Sequence, residues 1–169
     1  LNRCLEQAAN GDSKALIKTL FTDETGKQAS KCVLPIEMIN SLPMGRGRKP
    51  QKYGLLHQLI AVARKDTGTE ASCFSLTPLA SKDRYAKIGL LMHNRLVVEK
   101  GIAFDYSLKT CNGDTCMDVA LACSNDRFAE FLLSDKCKSD CFRRHAEVYK
   151  HANEENWAAV KKTIFDGDK

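Results

Sequence analysis

The stretch Asn112-Gly113-Asp114-Thr115-Cys116-Met117-Asp118-Val119-Ala120-Leu121-Ala122-Cys123-Ser124-Asn125-Asp126-Arg127-Phe128-Ala129-Glu130-Phe131-Leu132-Leu133 decides the fold. Asn112-Gly113-Asp114 is a turn, and Thr115 suits the N-cap of a helix. Its hydroxyl can satisfy N–H groups that have no partner within the helix. Met117, Val119, Ala120 and Leu121 supply a short apolar helix. Ser124-Asn125-Asp126 breaks it, and Phe128, Phe131, Leu132 and Leu133 build a second helix, with Leu132 and Leu133 expected in the core.

The same two-helix pattern recurs along the chain, as expected for an architecture of repeats. Leu5, Ala8 and Ala9 share one helical face, Asn10-Gly11-Asp12 interrupts it, and Ala15, Leu16, Leu20 and Phe21 form the next stripe. Asp12 can cap that second helix. Near the end, Ala146, Tyr149 and Ala152 precede a polar turn at 153–156. Trp157, Val160, Ile164 and Phe165 follow, with Trp157 expected to pack. Between these ends the spacing predicts a helix over 55–65 and another whose stripe is Tyr85, Ile88, Leu91, Met92 and Leu96, ending at Gly101 in a left-handed terminus. A Ser/Thr/Gly-rich insertion at about 66–82 separates them. Residues 35–42 predict a short helix opened by Pro35, and 43–53 a Gly/Pro/basic loop. Each pair is too short to bury its stripe alone, so stacking is the expected source of a core.

These residues resemble the ankyrin repeat family. Gly113, Thr115, Met117, Val119, Ala120, Ala129, Leu132 and Leu133 fall in that family's register without a gap. Cys116 stands where Pro is usual, Asp118 where His is usual and Ser124 where Gly is usual. Lys100-Gly101 and Lys136-Cys137 stand 36 residues apart, near the family period of about 33. The likeness is good over 84–169, fair over 1–22 and poor over 23–83. It implies an all-α helical solenoid of stacked helix-turn-helix (ankyrin-like) repeats, with 1–169 as a single repeat domain. It also implies non-enzymatic recognition of a partner protein through the concave helix face and the finger loops. On that surface it places Lys109, Asn112 and Asp114, with Phe104 and Tyr106 in the finger 102–112 either as binding anchors or packed against the adjacent finger. Divergent units rich in Lys, Asn and Cys resemble those of bacterial effectors acting in host cytosol; a cytosolic eukaryotic adaptor is the alternative.

Length and composition fit this reading. The chain has 169 residues, 43% hydrophobic and 28% charged, enough for a packed core and unlike a disordered segment. No apolar run approaches the ~20 residues that cross a bilayer, and no secretory leader opens the chain. It starts at Leu1 rather than Met, as a piece of a longer chain would. The net charge of +5 is modest for a nucleic-acid binder. The excess concentrates in 31–53, where Lys31, Arg46, Arg48, Lys49 and Lys52 stand against Glu37 alone. Eight cysteines are too sparse for a disulfide scaffold, and several lie on apolar helical stripes, where Cys behaves as a small hydrophobe. A reducing, cytoplasmic compartment is the expectation.

Three constellations compete with recognition. Cys137-x3-Cys141-x3-His145, with His151 beyond, has ligand types suited to zinc but lacks paired Cys-x2-Cys knuckles, so no metal is expected. A cysteine-dependent hydrolase, or an autoinhibitory part of one, would draw on the eight Cys and on His57, His93, His145 and His151, yet no Cys has a recognisable nucleophile setting. Met44-Gly45-Arg46-Gly47-Arg48-Lys49-Pro50 resembles an AT-hook whose core Lys49 interrupts, so DNA is not the expected partner. No cofactor motif is present.

Overall fold

A computed structural model describes residues 1–23, 25–44, 51–62, 79–134, 136–137 and 140–165. Among them every regular element is helical, so the chain is all-α. In order these are α1 (Asn2–Ala9), α2 (Ser13–Leu20), α3 (Ile36–Ile39), α4 (Leu55–Ala61) and α5 (Leu79–Asn94), which runs into a π-helical turn, Arg95–Glu99. Then come α6 (Cys116–Ala122), α7 (Asp126–Leu133), a 3-10 turn Asp140–Phe142, α8 (Arg143–Asn153) and α9 (Trp157–Phe165). An isolated antiparallel bridge joins Thr22 and Gln28. No helix among the described residues is long and apolar enough to cross a membrane. The chain forms two compact units, Leu1–Phe128 and Ala129–Lys169.

The three turns at 8–12, 121–125 and 152–156 are one turn used three times. In each, the fourth residue's N–H bonds the carbonyl three back and the fifth bonds the carbonyl five back. These are Gly11 to Ala8 and Asp12 to Gln7, Ser124 to Leu121 and Asn125 to Ala120, and Glu155 to Ala152 and Asn156 to His151, all at 2.8–3.1 Å. The fourth residue is left-handed each time, with φ of +70°, +50° and +54°. The fifth is Asp or Asn, and its side-chain oxygen accepts the N–H three residues on, from Ala15 at 2.9 Å, Phe128 at 3.1 Å and Ala159 at 3.2 Å. Such a cap satisfies a donor that the helix itself leaves open.

In the N-terminal unit, α1 packs on α2 and α4, and α4 packs on α5 and α6. The first helices of successive pairs therefore lie side by side in chain order. Helix α4 is the centre: Leu55, Leu56, His57, Leu59, Ile60 and Ala61 are all buried. A helix apolar nearly all round is stable only when surrounded, and each such Leu or Ile contributes about 1.5–3 kcal/mol by leaving water. Helix α5 comes very close to α4 at Gly89. A Cβ there would sit 2.3 Å from the Leu59 carbonyl oxygen and 2.8 Å from Val62 Cγ1.

Several expectations shift. The helix expected over 55–65 ends at Ala61 with Val62 as its C-cap, 63–78 lie outside the described residues, and 79–82 belong to α5 rather than to an insertion. Of the stripe expected there, Met92 and Leu96 are buried, Tyr85 and Ile88 half-buried and Leu91 60% exposed, and over 85–94 Ala86, Gly89 and His93 are buried as well. Leu121 is exposed, because α6 turns Cys116, Met117, Val119 and Ala120 inward. Leu132 is buried and Leu133 half-buried. In the C-terminal unit, α8 packs on α9, with the Arg144 guanidinium donating to the carbonyls of Thr163 and Ile164. That pair has little interior of its own: α8 buries no residue, and Trp157, expected to pack, is 62% exposed.

Candidate functional site

The loop from 102 to 114 leaves the π-helical turn through Gly101, at φ +68°. The N–H groups of Gly101 and Ile102 close the helix on the carbonyls of Val97 and Leu96. A left-handed residue is needed to turn the chain there, and Gly takes that conformation without a Cβ clash. The loop then alternates. Ile102, Phe104 and Thr110 are buried and Tyr106 and Leu108 half-buried, while Ala103, Asp105, Ser107 and Lys109 are exposed.

Two buried histidines hold the inward side. His93 on α5 stacks on Phe104, with centroids 5.6 Å apart, and meets Phe128 edge-on at 5.2 Å. Its Nδ1 lies 3.2 Å from Asn94 Oδ1 and its Nε2 lies 2.7 Å from the Tyr106 hydroxyl. These partners assign the proton to Nδ1, so the Tyr106 hydroxyl donates to Nε2. Burial pushes the His93 pKa down to about 4, against a smaller opposing effect of the Asn94 hydrogen bond. His57 on α4 donates Nε2–H to the Leu108 carbonyl at 3.0 Å and accepts the Gly54 N–H at Nδ1. Its pKa is also lowered, by burial, against the Leu108 bond and the charge of Asp114. Both rings are neutral near pH 7 and act as fixed struts.

A third support comes from α3. Asn40 donates to the Ala103 carbonyl and accepts the Asp105 N–H, both at 2.9 Å. Next to it, Pro43 accepts the Gln51 N–H and Lys52 accepts the Cys111 N–H. At the loop's end the Thr110 hydroxyl donates to Asp114 Oδ2 at 2.9 Å and accepts the Asn112 and Asp114 N–H groups. Thr115 and Asp118 then cap α6 reciprocally, each side chain bonding the other's backbone N–H.

The five residues expected at the surface therefore separate. Lys109 and Asn112 are exposed, Asp114 is half-buried and tied to Thr110, Tyr106 is half-buried on His93, and Phe104 is 8% exposed. From sequence His57 and His93 stood only among the histidines a hydrolase could draw on, and Asn40 was not singled out, although Ile102, Phe104, Tyr106 and Leu108 carry a period-2 signal that marks an inward side.

The other constellations look different in place. Cys137 is buried while Cys141 and His145 are exposed, and no group of three ligand-type residues among those described could hold a metal ion. Residues 45–50, the heart of the AT-hook-like stretch, lie outside the described residues. Cys4, Cys32 and Cys111 are free thiols. Burial pushes the Cys4 and Cys32 thiols up, away from the thiolate a nucleophile needs. A groove of about 300 Å³ beside α1 and α2 is walled by Arg3, Gln7, Lys18 and Asp23. In comparison with known proteins, the chain matches no family model, no curated protein and no solved structure.

Proposed function

We propose that the chain is a non-enzymatic, cytoplasmic protein-recognition module of ankyrin-like repeats that meets its partner through the concave helix face and finger loops, above all the outward edge of the finger 102–112. Where the likeness to bacterial effectors holds, that cytoplasm is a host cell's. The reading rests on one observation: a loop braced from behind by His57, His93 and Asn40 that leaves Lys109 and Asn112 exposed. A braced loop has already given up conformational freedom, which otherwise costs about 0.5–1.5 kcal/mol per side chain ordered on binding. Recognition residues concentrate on loops held by a rigid scaffold.

A photo-crosslinking residue placed in turn at Lys109, Asn112 and the exposed Lys14 of α2, outside the finger, tests it. Positions 109 and 112 should capture the same protein from lysate and position 14 should not. Lys109→Glu should weaken binding of that purified protein at least about tenfold, about 1.4 kcal/mol, with an unchanged melting temperature. Equal capture at Lys14 would sink the reading, as would a single thiol that labels far faster than the rest.

A further inference from the structure

Two asparagines precede a glycine in this chain, Asn10 and Asn112. Such a pair is chemically labile, because glycine has no Cβ to shield its backbone nitrogen from the carboxamide before it. Its fate depends on what holds that nitrogen, and the fold treats the two pairs differently. Asn10 is the C-cap of α1, and the N–H groups of Asn10, Gly11 and Asp12 are tied in succession to the carbonyls of Glu6, Ala8 and Gln7. Gly11 is half-buried, and a Cβ there would stand 3.3 Å from Ile88 Cγ2. Moving its nitrogen unwinds the end of a helix and needs room that the packing denies.

Asn112 and Gly113 are both exposed, in the turn that ends the finger. Gly113 has φ +86°, and a Cβ built on it would meet nothing within 4 Å. One bond, to the Thr110 carbonyl at 2.9 Å, holds its N–H, and an isolated bond in an exposed turn opens at little cost. The Cys111 thiol donates to Asn112 Oδ1 at 3.5 Å, the atom on which negative charge develops during attack. Asn112 Nδ2, the atom that has to leave, has no partner among the described residues. Asn40, which precedes the small Ser41, is held instead at both ends of its carboxamide, by the Ala103 carbonyl and the Asp105 N–H.

We infer that Asn112 is a site of self-modification, where the Gly113 nitrogen attacks the Asn112 carboxamide and turns this neutral residue of the finger into a carboxylate. The nitrogen gives its proton to water and bonds to Asn112 Cγ. The Cγ–Nδ2 bond breaks, and Nδ2 takes up a proton and leaves as ammonia. Water then opens the cyclic imide at either carbonyl, leaving the chain linked through the main chain, as Asp, or through the side chain, as isoaspartate. One water is consumed and one ammonia released in sum, with no change of oxidation state. Either product places a negative charge two residues from Asp114 and three from Lys109. The chemistry stands apart from the recognition reading; its effect on a partner rests on that reading.

The whole chain is held at mildly alkaline pH, natively and in urea, then digested and mapped by mass spectrometry for amide-to-acid conversion. In urea the peptides containing Asn10 and Asn112 should convert at similar rates. In the native chain the Asn112 peptide should convert at least about tenfold faster than the Asn10 peptide, a barrier difference of about 1.4 kcal/mol. Asn112→Gln, whose ring would be larger and slower to close, should abolish conversion in that peptide, with circular dichroism showing native helix content. Equal native rates at the two sites, a faster rate at Asn10, or conversion that survives Asn112→Gln overturns the inference. Asn112→Asp should weaken binding of the protein captured at Lys109 at least about tenfold. If it binds unchanged while Lys109→Glu does not, the effect of the modification on recognition falls and the recognition reading stands. If both variants bind unchanged, the recognition reading falls and the conversion measured by mass still decides the chemistry.

Discussion

Asn125 is fully buried and engages backbone with both ends of its carboxamide. Nδ2 donates to the Ile60 carbonyl at 2.8 Å, and Oδ1 accepts the Phe128 N–H. One residue thus caps the first turn of α7 and fixes the turn before it to the end of α4. Asn125→Ala removes the cap and strands a buried carbonyl. The expected loss is about 2–4 kcal/mol, a cap at ~1 plus an unsatisfied buried group at ~1–3, read as a lower urea midpoint at unchanged slope. Beside it, Ser124 holds φ +50°, a conformation costing a non-glycine residue about 1–2 kcal/mol. Ser124-Asn125-Asp126 was legible from the chain as a break between two helices. The long-range partner Ile60 was not, because nothing in a local pattern says which carbonyl 65 residues away a buried amide will meet.

At the scale of elements, an inward face can be wider than its bulky stripe. Of the stripe expected on α5 and the turn after it, Met92 and Leu96 are buried, Tyr85 and Ile88 half-buried and Leu91 exposed, while Ala86, Gly89 and His93 are buried beside them. Small residues sit there because they allow close approach: at Gly89 the neighbouring backbone leaves no room for a Cβ. Gly89→Ala gains up to about 1 kcal/mol of helix propensity, but the clash is with backbone, and overpacking costs about 1–3 kcal/mol or more. The net should be a loss, seen as a melting temperature several degrees lower; an unchanged or higher value would mean α5 can slide on α4. The helix pairs at 1–20 and 143–165 were readable because their turn chemistry is local. Helix α4 lay in the least readable region, yet it is the hub, since centrality depends on neighbours far away in sequence. The stretch between α5 and α6 was legible as a loop, and its alternation carried the information that Phe104 faces inward beside His93. Aromatic residues in a loop suggest anchors only until something is found behind them.

For the N-terminal unit as a whole, the two buried histidines couple folding to pH. Both folded-state pKa values lie below the unfolded value near 6.5, His93 at about 4 and His57 lowered. The native state therefore keeps these rings neutral while the unfolded chain takes up protons. With more protons bound when unfolded, stability rises with pH through this window. It is fully present above about pH 6.5 and is lost as pH falls toward 4. His93 alone should account for about 2 kcal/mol between pH 7.5 and pH 5, given about 1.36 kcal/mol per pKa unit, and His57 adds to it in the same sense. The lost stability has a specific address: a protonated His93 can no longer accept the Tyr106 hydroxyl at Nε2, so the finger should loosen first. Urea denaturation from pH 7.5 to pH 5, with amide exchange at 102–110, measures both effects. Stability flat across that range would show that neither ring is held neutral. A fall in stability with uniform exchange across α4 and the finger would separate the histidines' burial from their role as struts.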